Sequence, residues 1–229
     1  MDNIAIITAR GGSKRIPKKN VKLFLEYPII KYSIDAAIGS GCFSEVMVST
    51  DDEEIAEIAT GYGAVVPFMR SSKNSDDFAS TVDVLVEVIN SYKDLGKNFA
   101  NFCCIYPTAP FVTSEKIKIA IDLMKSSGAN CVLPVTEFSF PILRSLKIEN
   151  GMVLFNWPEY MRSRSQDLPR SFHDCGQFYI MRTDVLLAEK TLYPENTIPF
   201  EVSGLEVQDI DTEEDWRIAE MKYKILKGY

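Results

Sequence analysis

The sequence predicts an α/β domain: a mostly parallel sheet covered on both faces by helices, with a β-rich segment inserted at about residues 136–175. Three observations carry this. In the first half, short apolar runs alternate with stretches of helical spacing, the pattern of strand–helix–strand units. A glycine-containing loop follows the first apolar run directly, at the strand end where open parallel sheets receive ligands. Beyond Pro134 the texture changes to alternating runs with turn signals. One domain accommodates all 229 residues, with no repeats, no low-complexity tract and no long linker.

The elements follow in order. Asn3–Thr8 reads as a buried strand, Pro28–Ser40 as a helix closed by Gly41, and Glu45–Ser49 as a second strand. Asp51, Asp52, Glu53 and Glu54 open the next helix, where the helix dipole favours negative charge, and it ends near Gly61. Ser80–Ser91 shows helical spacing through Val84, Leu85 and Val88; Asn101–Ile105 is a central strand, Ser114–Ser126 an amphipathic helix and Cys131–Val135 a further strand. Asn150-Gly151 sits between the alternating runs of Pro141–Phe155 and predicts a hairpin. Trp157–Phe172 reads as an ordered loop and Gly176–Met181 as a strand. Asp211–Lys227 is a closing helix, with capping-box spacing at Asp211 and Glu214.

Composition narrows the function classes. Hydrophobic residues make up 46% and charged residues 25%, enough for a packed core without disulfides or a structural metal. The formal charge of −7 argues against a general nucleic-acid binder. The five cysteines are odd in number, lack CxxC spacing and lie partly in apolar runs, which predicts reduced thiols in a cytoplasmic protein. Ile4–Ile7 is too short for a signal peptide, and no apolar stretch approaches a membrane span, so no membrane partner is expected.

The first candidate site is the loop after the opening strand. From Ala9 to Lys22 there are six basic residues and no acid, in an otherwise acidic chain. Gly11 and Gly12 permit positive φ and close backbone approach, so N–H groups there can face phosphate oxygens, while Lys and Arg supply cations. A solvated basic loop is the alternative. Neither a Walker A nor a GxGxxG pattern is present. The second candidate is Asp209-Ile210-Asp211: residues two apart in an extended segment share a face, so both carboxylates can meet one hard cation, with Mg²⁺ the fitting ion. The alternative makes Asp211 the N-cap of the last helix.

Ala9-Arg10-Gly11-Gly12-Ser13-Lys14-Arg15-Ile16-Pro17-Lys18-Lys19-Asn20 resembles the signature of the CMP-nonulosonate synthetases, the acylneuraminate cytidylyltransferase family. The resemblance implies a three-layer, Rossmann-like nucleotide-diphospho-sugar-transferase fold whose β-rich insertion makes a homodimer. It places Arg10, Ser13, Lys14 and Lys19 around the phosphates of CTP, with the backbone of Ala9, Gly11 and Gly12 in the same cradle. Asn20 then contacts the nucleotide, and Arg10, Lys14 and Lys19 act in catalysis. Val48-Ser49-Thr50-Asp51-Asp52 is similar to the family's second-strand motif. Arg70 followed by Asp77, Ser80 and Thr81 resembles its cytidine-reading segment; by itself Arg70 is equally a surface cation. Tyr106 stands where relatives carry a sugar-contacting Gln. The Asp-Ile-Asp pattern matches the family's metal site, Asp209 and Asp211 holding Mg²⁺.

On the sugar side, Arg162–Pro169 resembles the family's acceptor-contacting stretch, with Gln166 in it and Arg164 facing the sugar carboxylate; a salt bridge within the loop is the alternative for Arg164. Phe172-His173-Asp174-Cys175-Gly176-Gln177-Phe178-Tyr179 looks like the branch that acts on pseudaminic acid, which implies sugar contacts from His173, Gln177 and Tyr179. His173 is the only histidine, and pairing with Asp174 would let it titrate near neutrality; a structural role is the alternative. The implied reaction transfers CMP from CTP to the anomeric hydroxyl of an acidic nine-carbon sugar, releasing pyrophosphate and supplying an activated sugar for glycan or flagellin glycosylation. Sialic, legionaminic and 3-deoxy-octulosonic acids are the alternative acceptors, and a CTP-binding regulatory protein is the non-enzymatic alternative.

Overall fold

The computed structural model describes residues 3–76 and 78–228; Asp77 lies outside the described residues. β1 (Asn3–Thr8) leads through the basic loop to a small hairpin, β2 (Leu23–Phe24) and β3 (Tyr27–Pro28). Then come α1 (Ile29–Ser40), β4 (Glu45–Ser49), α2 (Glu53–Gly61), α3 (Thr81–Asp94), β5 (Asn101–Ile105), α4 (Ser114–Ser127) and β6 (Cys131–Glu137). The inserted segment carries β7 (Leu146–Glu149), β8 (Met152–Phe155) and β9 (Phe172–Asp174). The chain closes with β10 (Phe178–Arg182), α5 (Thr183–Glu189), β11 (Thr197–Glu201) and α6 (Glu213–Lys227).

The main sheet has the order β11-β6-β10-β5-β1-β4, with β9 paired to β6. β1, β4, β5, β6 and β11 run the same way, while β10 runs against them between β5 and β6. Side-chain alternation explains why both faces are covered. Ala5 and Ile7 of β1, with Cys103 and Ile105 of β5, pack into the core beneath α1, α2 and α4. Ile4, Ile6, Phe102 and Cys104 point the other way, into the core beneath α3 and α5. All eight are fully buried, as strands between two helical layers require.

Near its start β6 pairs with β10 at Cys131 and Val132; further along it pairs with β9, from Val135 to Glu137. The break between β9 and β10 is a corner at Gly176, whose φ of 59° is costly for other residues. The β7–β8 hairpin stands off the sheet, turned by Asn150 and Gly151 at φ 51° and 76°, the left-handed pair that a tight hairpin demands.

The last helix begins differently from the sequence expectation. Its N-cap is Thr212, in a capping box with Asp215, one residue beyond the predicted Asp211–Glu214 pair. That shift leaves the Asp211 carboxylate outside the cap.

Candidate active site

The loops after β1, β4 and β5, the corner before β10 and the segment after β11 all lie at one end of the sheet. Packing pulls two of them together. Ile16, in the basic loop, and Ile210, between the two aspartates, are each 1% exposed and belong to one cluster with Phe24, Phe111 and Trp216. Because Ile210 points inward, its neighbours Asp209 and Asp211 point out of that cluster. Lys19 Nζ donates to the Ile210 carbonyl at 2.7 Å and lies 3.7 Å from Asp211 Oδ1; Arg15 Nη1 meets Asp211 Oδ2 at 2.8 Å. A cavity of about 460 Å³ opens here, walled by Arg10, Ser13, Lys14, Arg15 and Lys19 on one side. Tyr106, Thr108 and Asp209 close the other.

The loop's backbone departs from a simple phosphate nest. Neither Gly11 nor Gly12 has positive φ. The Ala9 N–H donates to the Ser49 carbonyl at 3.0 Å, extending the β1–β4 pairing, and the Gly11 N–H donates to Asp51 Oδ1 at 3.0 Å. Glycine is needed at 11 for space instead: a Cβ there would sit 2.7 Å from Asp52 Oδ2 and 2.9 Å from Asp52 Cβ. Nothing lies within 4 Å of the corresponding Cβ at Gly12. Asn20, 5% exposed, lends its amide Nδ2 to the Arg10 carbonyl at 2.8 Å, so it fixes the loop. Arg10 Nη1 reaches the Asp76 carbonyl at 2.8 Å.

Arg70 is 8% exposed, which removes the surface-cation alternative. Its Nε donates to Ser49 Oγ at 3.0 Å and its Nη2 to the Ser49 carbonyl, binding it to the end of β4. Burial pulls its pKa down from the usual arginine value, and the nearby Asp51 and Glu87 charges oppose that. Ser80 spends its hydroxyl on the capping box of α3 with Asp83. Thr81 Oγ1 lies 3.3 Å from the Tyr106 hydroxyl, which links the start of α3 to the cavity wall.

The carboxylates suit a divalent ion. Partial burial, and then the charge of Asp211, raise the Asp209 carboxyl pKa, a penalty on its charged form that a cation would offset. Among the described residues no group of three or more His, Cys, Asp or Glu side chains converges. Two carboxylates at a basic cavity could hold Mg²⁺, an ion that takes one or two of them plus phosphate oxygens and water.

The expected sugar contacts are dispersed, and none but Tyr106 lines this cavity. Arg164 forks onto Asp167 at 2.7 and 3.1 Å, the loop salt bridge named above as its alternative; Gln166 is exposed in the turn beside it. The His173–Asp174 side-chain pair does not form. Successive side chains of a strand face opposite ways, and His173 Nδ1 meets only the Asp174 carbonyl, at 2.9 Å. The Asp174 carboxylate instead accepts from Tyr179 and Tyr193 hydroxyls, at 2.5 and 2.8 Å, and from the Gly176 N–H at 2.8 Å. Tyr179 is buried, with its ring edge-on to Tyr106 at 5.8 Å. Gln177 is 3% exposed and donates to the Glu206 carbonyl at 2.6 Å.

A family model described as Cytidylyltransferase matches residues 4–150. The chain belongs to the cytidylyltransferase family. Over 226 residues it is 39% identical to the pseudaminic acid cytidylyltransferase of Campylobacter jejuni, covering 98% of this chain and 97% of that one. It is 31% identical to the CMP-N,N'-diacetyllegionaminic acid synthase of Legionella pneumophila, covering 95% and 94%. A solved CMP:2-keto-3-deoxy-manno-octonic acid synthetase in complex with CTP superposes over 100% of both chains, with TM-score 0.72 at 18% identity, a likeness of fold.

In this cytidylyltransferase the geometry adds residues to which the motifs gave no site role. Arg15 joins the cavity wall and the Asp211 ion pair; Asp51 and Asp52 shape the glycine loop. The signal for Arg15 was its place in the acid-free basic run. Asp51 and Asp52 gave a helix-start signal and ended the second-strand motif, neither of which assigned them to the glycine loop; Asp52 is indeed the N-cap of α2, accepting from Ile55 N–H at 3.0 Å.

Proposed function

We propose that this protein transfers CMP from CTP to the anomeric hydroxyl of a nonulosonic acid, with pseudaminic acid as the favoured acceptor, releasing pyrophosphate. The observation that carries the reading is the meeting of Lys19 with Ile210 and Asp211 at the cavity that Arg10, Lys14 and Asp209 also line. A triphosphate there would exchange the Arg15–Asp211 ion pair for contacts with its own oxygens. Arg10, Lys14 and Lys19 then hold the phosphates and offset charge as pyrophosphate departs; catalysis is positioning plus preorganised electrostatics. Asp209 and Asp211 would hold Mg²⁺, whose contribution when bound is neutralisation of the triphosphate. Arg70, held against Ser49, and Thr81, beside Tyr106, would read the base.

The acceptor preference rests on the 39% identity to the Campylobacter jejuni enzyme over nearly the whole chain, together with the His-Asp-Cys-Gly-Gln-Phe-Tyr stretch. We take the assembly to be a homodimer formed through the inserted hairpin. Ile148, Met152 and Val153 are 77%, 61% and 63% exposed there, and Phe140 is 82% exposed, an apolar surface that a second copy would cover. Five free thiols suit a reducing compartment, for which we propose the cytoplasm. No helix among the described residues is long and apolar enough to cross a membrane.

The test is pyrophosphate release from CTP and Mg²⁺ with pseudaminic, legionaminic, sialic and 3-deoxy-octulosonic acids in parallel. Fastest release with pseudaminic acid is the expected result. A different preferred acid overturns the acceptor assignment. Tight CTP binding with no release from any of them favours a regulatory protein and overturns the transfer reading.

A further inference from the structure

The segment from Ser203 to Asp211, which carries both metal-facing aspartates, has almost no secondary structure of its own beyond the short turn Gly204–Glu206. Loops that hold catalytic groups need outside support to keep their geometry. Here the support comes from side chains that grip its backbone carbonyls one after another. Lys222, on α6, donates to the carbonyls of Gly204 at 3.2 Å and Val207 at 2.6 Å. Gln177, at the start of β10, donates to the carbonyl of Glu206 at 2.6 Å. Lys116, on α4, meets the Glu206 carboxylate at 2.7 Å while donating to the Phe111 carbonyl at 3.0 Å. Lys19 takes the last carbonyl, at Ile210.

Gln177 is the informative member. Its side chain is almost wholly buried, and its Oε1 has no hydrogen-bond partner while Nε2 is committed to Glu206. Turning the amide over would set oxygen against the Glu206 carbonyl oxygen, so its orientation is fixed. For packing alone a leucine would serve better, because it buries no unpaired acceptor. What the glutamine contributes is, among the described residues, the one donor that reaches that carbonyl.

We propose that Gln177 is a positioning residue that, with Lys222 and Lys116, holds the 203–211 segment so that Asp209 and Asp211 face the phosphate cavity. This replaces a direct sugar contact for Gln177, and it rests on the reading of Asp209 and Asp211 as the metal-holding pair. The reaching distance is short: Glu206 and Asp209 are three residues apart on one strap, so release of the Glu206 carbonyl frees the couplet's approach side.

The experiment titrates full-length protein with Mn²⁺ in the presence of CTP and no acceptor, reading free Mn²⁺ by electron paramagnetic resonance. Hydrogen exchange of the 203–211 amides and the thermal midpoint are measured alongside. Gln177→Leu, the similarly shaped but donor-less Gln177→Met and Lys222→Met are compared with Asp209→Asn. Loss of a residue that orients a metal ligand typically weakens affinity about 10-fold or more. The expected result is that loss in each of the first three variants, with faster exchange confined to the segment and a midpoint close to the parent's. If Asp209→Asn abolishes Mn²⁺ binding but the other variants bind normally, the positioning role is overturned and the metal assignment stands. Unchanged Mn²⁺ affinity in Asp209→Asn itself overturns the metal assignment, and the positioning role with it. A higher KM for the sugar in Gln177→Leu at unchanged Mn²⁺ affinity makes Gln177 a sugar contact and also overturns the inference. Should Gln177→Leu fail to fold, Gln177→Met decides the role of Gln177, with Lys222→Met testing the rest of the support.

Discussion

Lys19 reaches across 191 positions of sequence to the carbonyl of Ile210, and in doing so joins the basic loop at the start of the chain to the acidic couplet near its end. Beside it, Asp211 pairs with Lys19 and Arg15 while the adjacent helix is capped by Thr212 and Asp215. The ion-paired carboxylate and the helix cap are therefore neighbouring but different residues. Asp211→Ala and Lys19→Ala are each expected to lose on the order of 10²–10³ in turnover with the fold intact. Thr212→Ala is expected to cost about 1 kcal/mol of stability through the lost cap. Pyrophosphate release and urea unfolding, run on all three variants, separate the two effects; near-normal turnover in Asp211→Ala at saturating Mg²⁺ removes the metal role.

The two loop glycines should respond differently to alanine. At Gly11 the new Cβ collides with Asp52, whose side chain caps α2 through Ile55 N–H. Displacing that cap is expected to cost about 1 kcal/mol and to weaken CTP binding as the loop shifts. Gly12→Ala meets open space and is expected to fold like the parent. Calorimetric CTP binding and urea midpoints on the pair check this.

Arg70→Met removes two charge-assisted donors from Ser49 and leaves the end of β4 without its brace. The expected loss is about 1.5–3 kcal/mol of stability, accompanied by weaker CTP binding. Arg70→Lys is not expected to rescue it, because one ammonium lacks the fork that spans both Ser49 atoms. Denaturant midpoints and CTP titration report both effects.

Buried thiols set an alkaline limit. Burial raises Cys104, Cys131 and Cys175 from 9.0 to about 12. An acid whose folded pKa lies above its unfolded value favours the folded state fully below the unfolded value, and that advantage is lost as pH rises toward the folded one. Urea midpoints are therefore expected to hold steady up to about pH 9 and to fall above it. At pH 8 a thiol reagent is expected to modify Cys42, the one cysteine that is partly exposed, and to reach the other four only after unfolding.

Ile148 and Val153 face each other across the inserted hairpin, both largely exposed. Replacing either with Glu is expected to yield a monomer by sedimentation, with the main sheet unaffected. A dimer that survives both changes places the interface elsewhere.

Much of the sheet was legible because its strands are buried on both faces and carry continuous apolar runs. Asn3–Thr8, Glu45–Ser49 and Asn101–Ile105 have the same bounds in structure as in sequence. β11 was not foreseen: Thr197–Glu201 contains Pro199, which argues against a strand except at a sheet edge, and the edge is where it lies. α5, at seven residues, is too short for its period to register. In the site, the basic run and the Asp-Ile-Asp triplet were visible separately, but their meeting depends on Ile16 and Ile210 sharing one apolar cluster, which no local pattern states. His173 and Asp174 misled through adjacency, although strand alternation argues against such a pair.

Because β6 pairs first with β10 and further along with β9, residues 138–171 leave the main sheet at the end of β6 and return to it beside that same strand. Lengthening, trimming or exchanging that stretch would leave the threading of every core strand untouched. That stretch is thereby a detachable module, open to revision by recombination without disturbing the loops that wall the cavity.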